Sequence, residues 1–178
     1  EYHAIKEDRR GGDRLDRPAH EALIAEQTQH TNNSGSLSYD GQSQDGKHLW
    51  NAYISAQHIS RNSYYGSGMD PKAYGRTRDL TAVCGGQYSY KFDRLLFMPA
   101  QLTAGLEYNF DDLKDVSLGY DYRTDQRIHI VGTYLQNEWK NAHWGLLAGV
   151  RMDKHNLISR PIFSPRVNLR YSPFRDLS

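Results

Sequence analysis

The chain of 178 residues carries 22 Lys and Arg against 21 Asp and Glu, so its net charge of +1 gives no reason to expect nucleic acid as a partner. Its single cysteine, Cys84, excludes a disulfide framework and a multi-cysteine metal site. Hydrophobic residues make up only 38% and the mean hydropathy is −0.80, yet 12% aromatic residues is too many for a disordered chain. This composition favours a sheet with one face in water.

Stretches of alternating apolar and polar residues recur along the chain. Their breaks carry Gly, Asp, Asn, Ser or Pro, which is typical of antiparallel strands joined by turns. In chain order, the predicted strands cover residues 2–8, 31–42, 49–58, 81–92, 101–110, 128–139, 144–153 and 166–171. The best helical signal, over residues 20–27, is about two turns long and lies inside the first connection.

The predicted connections alternate in length. Short or moderate ones cover residues 43–47, 92–99, 140–143 and 173–176, and long ones cover residues 9–27, 60–78, 111–126 and 154–164. Short turns at one end and long loops at the other are typical of a transmembrane β-barrel. Aromatic residues gather near the short-turn ends, as an interfacial girdle would require. They are Trp50, Tyr88, Tyr90, Phe92, Trp139 and Trp144.

The two faces of the predicted strands differ in character. One face carries Ala, Val, Leu and Gly, whereas the other carries Arg, Glu, Asn and Gln at mid-strand. An apolar face this thin suits lipid better than a close-packed core, so the pattern predicts an all-β fold of antiparallel transmembrane strands. Two alternatives remain. One is a soluble β-sandwich that acts as a binding module, and the other is a small complete outer-membrane barrel with a structural or adhesive role.

Three short motifs follow one another on the last predicted strands. They are Q-x-E-W at Gln136, Glu138 and Trp139, G-x-R-x-D at Gly149, Arg151 and Asp153, and S-P-R at Ser164, Pro165 and Arg166. In order and spacing they resemble TonB-dependent outer-membrane receptors. The segments RRGG, SYYG and LFMPAQLTAGLEY resemble the receptors of Bacteroides-type bacteria and extend the likeness over nearly the whole chain.

The resemblance implies that residues 1–178 are a partial β-barrel domain, about eight strands of a barrel of about 22. The chain is expected to be truncated at both ends, with its final SPFRDLS leading into a further strand. The family's plug domain and TonB-contacting box are expected to lie outside this chain, so this piece alone is not expected to transport.

The same resemblance implies a function for the parent protein in the bacterial outer membrane. That protein would be an active transporter that captures a scarce nutrient of the iron-chelate, haem or cobalamin class and uses energy delivered through TonB. The implied partners are outer-membrane lipid, the plug domain, TonB and a small-molecule nutrient. Nucleic acid is not among them.

Two sets of residues are candidates for function. The polar face is expected to line the lumen and contact the plug through Gln136, Glu138, Arg151, Asp153, Arg166 and Arg170. We favour the alternative that these residues form charge pairs that satisfy a polar wall, although both roles are compatible. The long loops are expected to contact an anionic, aromatic or chelate-type ligand. The candidates there are Arg9, Arg10, Arg14, Arg17, Tyr64, Tyr65, Tyr74, Tyr120 and Tyr122, and for any single one the alternative is a solvated residue.

The sequence offers no catalytic or metal-binding motif. Cys84 falls mid-strand on the predicted lipid face, which is a poor position for a nucleophile. The His residues form no H-x-x-x-H or H-x-H pair, and Asp111, Asp112 and Asp115 lack the spacing of a calcium-binding loop. We therefore expect no enzyme, no metal site and no cofactor. The sequence contains no run of about 18 apolar residues, so it predicts no transmembrane helix.

Overall fold

A computed structural model describes residues 1–173 as one antiparallel sheet in which every strand pairs with its neighbours in sequence. The strands are β1 (Tyr2–Gly12), β2 (Ile24–Gln42), β3 (His48–Ser67), β4 (Tyr74–Leu95), β5 (Met98–Ser117), β6 (Tyr122–Lys140), β7 (Trp144–His155) and β8 (Ile162–Tyr171). Two 3₁₀ turns, Ala19–Glu21 and Leu118–Tyr120, are the other regular elements of this part of the chain. None of its helices has the length and apolarity to cross a membrane. The predicted all-β, eight-stranded fold is confirmed.

Most strands run further than predicted toward the connections that were expected to be long. For example, β3 continues to Ser67 and β5 to Ser117. The long connections therefore shrink to residues 13–23, 68–73, 118–121 and 156–161. In these extensions apolar and polar residues no longer alternate, but the backbone still completes its hydrogen-bond ladder.

The predicted helix over residues 20–27 is wrong. The structure has only the single 3₁₀ turn Ala19–Glu21, and β2 already begins at Ile24. Pairing with β1 extends up to Gly12 opposite Ala25. This ladder takes the backbone groups that a helix would have used, so tertiary pairing overrides the weak helical propensity of the segment.

The short connections cover residues 43–47, 96–97 and 141–143. In the first, the Ser43 hydroxyl and the Lys47 backbone N–H both donate to Asp45 Oδ1, the latter at 3.0 Å. These hydrogen bonds, led by the one from Ser43, lower the pKa of the Asp45 carboxyl. Gly46 follows at φ +67°, a conformation that favours glycine. The described residues end at Pro173. The rest of the predicted turn over residues 173–176, and the chain end at Leu177 and Ser178, lie outside them.

Uninterrupted registers keep alternate residues on the same face. They run from Tyr2↔Gly35 to Gly12↔Ala25 in β1–β2, from Ile130↔His155 to Lys140↔Gly145 in β6–β7, and from Trp144↔Tyr171 to Asp153↔Ile162 in β7–β8. β1 and β8 form the two edges of the sheet. A small barrel closed by these two strands is therefore not formed by the described residues.

The chain divides into two compact units. Unit 1 comprises Glu1–Ser36, Ser55–Ala82 and Phe110–Ile128, and unit 2 comprises Leu37–Ile54, Val83–Asn109 and the described residues from His129 onward. Across residues 1–173 the buried hydrophobic residues are four alanines and one tyrosine: Ala19, Ala22, Ala25, Ala100 and Tyr64. A soluble sandwich would bury large apolar side chains between two sheets, so this distribution argues against that alternative.

Candidate functional site

The two faces of unit 2 have the predicted characters. On β3, Trp50 and Ile54 are exposed, whereas the intervening Tyr53 is half-buried. On β5, Leu106 is exposed and its neighbour Glu107 is half-buried. The side that carries the half-buried polar residues is called the polar face below. Its central members are Tyr53, Gln87, Glu107, Tyr134, Gln136, Arg151 and Asp153.

Arg151 is the centre of a charged cluster on the polar face. Its Nε donates to both carboxylate oxygens of Asp153, at 2.9 and 3.0 Å, and its Nη2 donates to Glu107 Oε1 at 3.0 Å. Glu107 also accepts hydrogen bonds from the Tyr53 hydroxyl at 2.5 Å and from Asn109 Nδ2 at 3.1 Å. One guanidinium therefore holds two carboxylates that would otherwise repel each other at half-buried positions.

Three polar side chains reach over a neighbouring strand to the strand beyond it. Tyr53 on β3 crosses β4 to reach Glu107 on β5. Arg151 on β7 crosses β6 to reach the same carboxylate. Tyr134 on β6 crosses β5 and donates to Gln87 Oε1 on β4 at 2.6 Å. These crossings link alternate strands by side chains, in addition to the backbone ladders between neighbours.

Each crossing passes over a glycine of the intervening strand. A Cβ built on Gly85 would lie 2.7 Å from the Tyr53 hydroxyl oxygen, and one built on Gly132 would lie 2.5 Å from Arg151 Nη2. Gly105 occupies the equivalent position under the third crossing side chain. Real Cβ atoms do not approach other atoms this closely, so the absence of a side chain at these positions is what opens the path.

The structure brings together only part of the predicted lumen set. Arg151 and Asp153 form a charge pair, as the favoured alternative predicted. Gln136 lies opposite Gly149, which in turn lies opposite Arg166. Glu138, Arg166 and Arg170 are exposed, line one groove of about 250 Å³ and make no ion pair within residues 1–173. These three do not form the predicted charge pairs, because the registers place Glu138 opposite Leu147, Arg166 opposite Gly149 and Arg170 opposite Gly145.

Glu107 and Tyr53 are central to the cluster but were not selected as site residues from the sequence. Alternation placed Glu107 on the polar face, yet no motif marked it. The available signal was the pair of glycines, Gly85 and Gly132, on the strands that separate these partners. A glycine between polar positions two strands apart permits a contact that strand periodicity does not reveal.

Several predicted loop residues lie in strands instead. Arg9 and Arg10 belong to β1, where Arg9 pairs with Glu7 at 2.5 Å. Tyr65 belongs to β3 and lies on the polar side, with its hydroxyl 3.1 Å from Thr28 Oγ1. Their predicted position in long loops is wrong, since the strands extend through these segments.

Tyr64 is also displaced from its predicted loop, because it lies in β3 and is only 1% exposed. It packs edge-on against Tyr74, with ring centroids 4.9 Å apart, beside Ala19, Ala22 and Ala25. Its hydroxyl donates to the Asp70 carbonyl at 3.0 Å. Tyr64 is therefore part of the core of unit 1 and is not accessible to a ligand.

Removing this buried hydroxyl tests the structural role of Tyr64. Tyr64→Phe is expected to lower the free energy of unfolding by about 1 kcal/mol, because the Asp70 carbonyl loses its donor in a buried setting. Urea unfolding in detergent micelles, followed by circular dichroism, would measure the change. Tyr65→Phe is the matched control and is expected to have little effect, since Tyr65 is exposed. Equal effects of the two substitutions would contradict the assignment.

Two predicted ligand contacts remain accessible. Tyr120, in the 3₁₀ turn, is 77% exposed, and Tyr122, the first residue of β6, is also exposed. Arg17 is exposed in the connection over residues 13–23, and Arg14 there donates to the Glu21 carbonyl at 3.1 Å. Arg14 and Arg17 are thus also exposed, alongside the two tyrosines.

The acidic residues Asp111, Asp112 and Asp115 lie in β5 and not in a loop. Asp112 pairs with Arg127 at 2.9 Å, and Asp115 accepts a hydrogen bond from Thr77 at 2.6 Å. Within residues 1–173 no group of three or more His, Cys, Asp or Glu is arranged to hold a metal ion. Asp112 and Asp115 therefore form side-chain contacts between neighbouring strands of the sheet.

Aromatic residues of unit 2 lie beside the short connections, as predicted. Trp139 stacks on Phe97 at a centroid distance of 5.6 Å and donates from Nε1 to the Leu95 carbonyl at 3.0 Å. The ring centroids of Trp144 and Tyr171 are 4.4 Å apart. Amphipathic rings with a hydrogen-bonding edge are suited to the boundary between lipid and water.

A family model described as TonB dependent receptor-like, beta-barrel, matches residues 5–178. Searches of curated proteins and of solved structures found no match for the chain. The matched range includes β2 to β8 entirely and most of β1, so it covers both units and the whole polar face. It also contains the three motifs on β6, β7 and β8 that resembled this type of receptor.

Proposed function

We propose, since the chain belongs to the β-barrel family of TonB-dependent receptors, that its sheet is part of the wall of a transporter for active nutrient uptake. Barrels of this family reside in the bacterial outer membrane, and the family is one of receptors and transporters. The proposed work of the parent protein is to bind a nutrient outside the cell and pass it inward with energy from TonB.

The contrast between the two faces of unit 2 carries this proposal. Large apolar side chains such as Ile54, Leu106, Leu135 and Val150 are exposed on one face. The other face holds the hydrogen-bonded cluster around Arg151. Apolar side chains gain by contact with lipid tails, whereas half-buried charges need the partners and water that a lumen provides.

Plug docking is proposed for the polar residues whose hydrogen bonds are not already committed. Arg151 already donates to Asp153 and Glu107, so its proposed role is to stabilise the sheet and not to contact the plug. Arg166 and Arg170 on β8 are exposed and without ion pairs among the described residues, which leaves their guanidinium groups available to an acidic plug segment.

The nutrient is proposed to belong to the iron-chelate, haem or cobalamin class. Tyr120 and Tyr122 are exposed beside the connection over residues 118–121, and Arg14 and Arg17 lie in the connection over residues 13–23. Phenol rings and guanidinium groups suit ligands that are anionic or have large conjugated surfaces. Uptake of labelled ferric chelate, haem and cobalamin by cells with the complete receptor would distinguish the three, with a protonophore as the control for energy dependence.

Detergent dependence is the direct test of the lipid-facing assignment. The chain is expected to give a β-type circular dichroism spectrum and a single species in light scattering only in the presence of micelles. The physical reason is that an exposed apolar face and two open sheet edges associate in plain buffer. A monodisperse, β-rich chain in buffer without detergent would favour the soluble binding module instead.

A further inference from the structure

A groove of about 590 Å³ in unit 1 is lined by basic, amide and apolar side chains and by no carboxylate. It is formed by Gln29, Asn62, Tyr74, Gly75, Arg76, Arg78, Lys114, Val116 and Leu118. Three cations therefore share one concave surface with two amides. Such a surface favours a ligand with several acceptor oxygens and a negative charge.

The three cations of this basic groove have no counter-ion. Arg76, Arg78 and Lys114 are exposed and make no ion pair within residues 1–173. Nearby on β5, by contrast, Asp112 is paired with Arg127. Like charges held side by side without an anion repel each other, so the groove gains stability when an anion enters.

Alternation along β4 shows which face the basic groove occupies. Thr77 points to the opposite side, where its hydroxyl contacts Asp115 at 2.6 Å and accepts from Arg61 at 3.1 Å. Leu80 shares the side of Arg76 and Arg78 and is 40% exposed. The groove therefore opens on the face that carries exposed apolar residues, away from the polar side.

The spacing along β4 matches the layered structure of a membrane surface. At about 3.3 Å per residue, Arg78 lies about 7 Å and Arg76 about 13 Å along the strand from Leu80. The headgroup layer on each side of a bilayer is on the order of 5 to 7 Å thick. Because barrel strands tilt by about 45°, these distances correspond to depths of about 5 and 9 Å. With Leu80 at the edge of the apolar layer, Arg78 therefore lies within the headgroup layer and Arg76 lies at its outer boundary.

We propose that the basic groove binds the phosphate-bearing headgroup of an anionic lipid. Arg76 and Arg78 donate to phosphate oxygens, Lys114 adds a third positive charge, and Asn62 offers its amide to neighbouring polar atoms of the headgroup. The Gln29 amide already donates to Asp8 Oδ2 at 3.1 Å. A transported nutrient is not the occupant, because the groove faces away from the polar side of the sheet. This site is independent of the nutrient and of the proposed plug contact.

Lipid titration of the chain in dodecyl maltoside micelles tests this proposal. Native mass spectrometry would count bound phosphatidic acid, with phosphatidylcholine as the zwitterionic comparison. The triple variant Arg76→Gln, Arg78→Gln, Lys114→Gln is expected to bind phosphatidic acid at least about tenfold more weakly, the equivalent of losing one or more charge-assisted contacts. The charge-matched control Lys91→Gln, Arg94→Gln, Arg160→Gln is expected to bind like the parent chain.

Three results would overturn the assignment. These are equal weakening by the control, equal binding of phosphatidylcholine, and unchanged binding by the triple variant with an unaltered circular dichroism spectrum. Inorganic phosphate is the remaining probe. Should it displace the lipid at the same concentration as phosphatidic acid itself, the groove would be a site for free phosphate and not for a lipid.

Discussion

Replacing Arg151 with Met is expected to lower the free energy of unfolding by about 2 kcal/mol. The change keeps most of the side-chain volume but leaves Glu107 and Asp153 without the cation that both contact. Breaking a fully buried ion pair costs about 3 to 5 kcal/mol. The side chains here are 37%, 26% and 22% exposed, for Arg151, Glu107 and Asp153, so solvent screening reduces the effect.

The matched control for this substitution is Arg166→Met. Arg166 lies on β8, is exposed and makes no ion pair among the described residues, so its loss is expected to change stability by less than about 0.5 kcal/mol. Urea unfolding in micelles, followed by tryptophan fluorescence, would compare the two variants. Adding Asp153→Asn to Arg151→Met is expected to restore part of the loss, because one unpaired carboxylate is removed. Similar stabilities for Arg151→Met and Arg166→Met would show that the cluster does not hold the wall.

Replacing Gly105, which lies beneath the Tyr134 ring, with Ala is the second substitution with a large expected effect. In Gly105→Ala the new Cβ would overlap atoms of the Tyr134 ring, which must move and lose its hydrogen bond to Gln87. Overpacking of this kind costs about 1 to 3 kcal/mol, and we expect about 2 kcal/mol here.

A double-mutant cycle separates this clash from a general effect of alanine in a strand. With Tyr134→Ala already present, Gly105→Ala is expected to be neutral or slightly stabilising, since the ring is gone and glycine is a poor strand residue. Gly145→Ala on β7 is the matched control, because the nearest atom to its Cβ, Arg170 Cβ, is 3.8 Å away. Additive effects of the Gly105 and Tyr134 substitutions would contradict the proposed crossing.

Period-two alternation was sufficient to predict where the strands lie and which way their side chains point. It failed at the ends nearest the longer connections, as in β3 beyond residue 58. There the sequence SRNSYYGS contains no regular apolar positions, because backbone pairing continues where neither face needs to be apolar. The predicted loops were wrong for this reason, whereas the predicted helix over residues 20–27 was wrong because β2 pairs with β1 from Ala25 onward.

The candidate site was only partly predictable. Arg151 and Asp153 stand two residues apart on one strand, so alternation and the G-x-R-x-D motif identify them together. Their link to Glu107 joins β7 to β5 and depends on the strand order, which no single strand encodes. Tyr64 was misjudged because its burial depends on Tyr74 and on the packing of alanines from another segment.

The glycine crossings also bear on how the sheet selects its pairing. A slip of two residues between neighbouring strands leaves every side chain on its original face, so apolar and polar alternation cannot reject it. The crossings can, since a slipped β4 would place Val83 or Gln87 where Gly85 now lies and would block the path of Tyr53. The same holds for Gly105 and Gly132, whose neighbours two positions away all carry side chains. These three glycines therefore help to select one strand register, because only in that register can the polar side chains cross to their partners, and registers shifted by two residues are disfavoured.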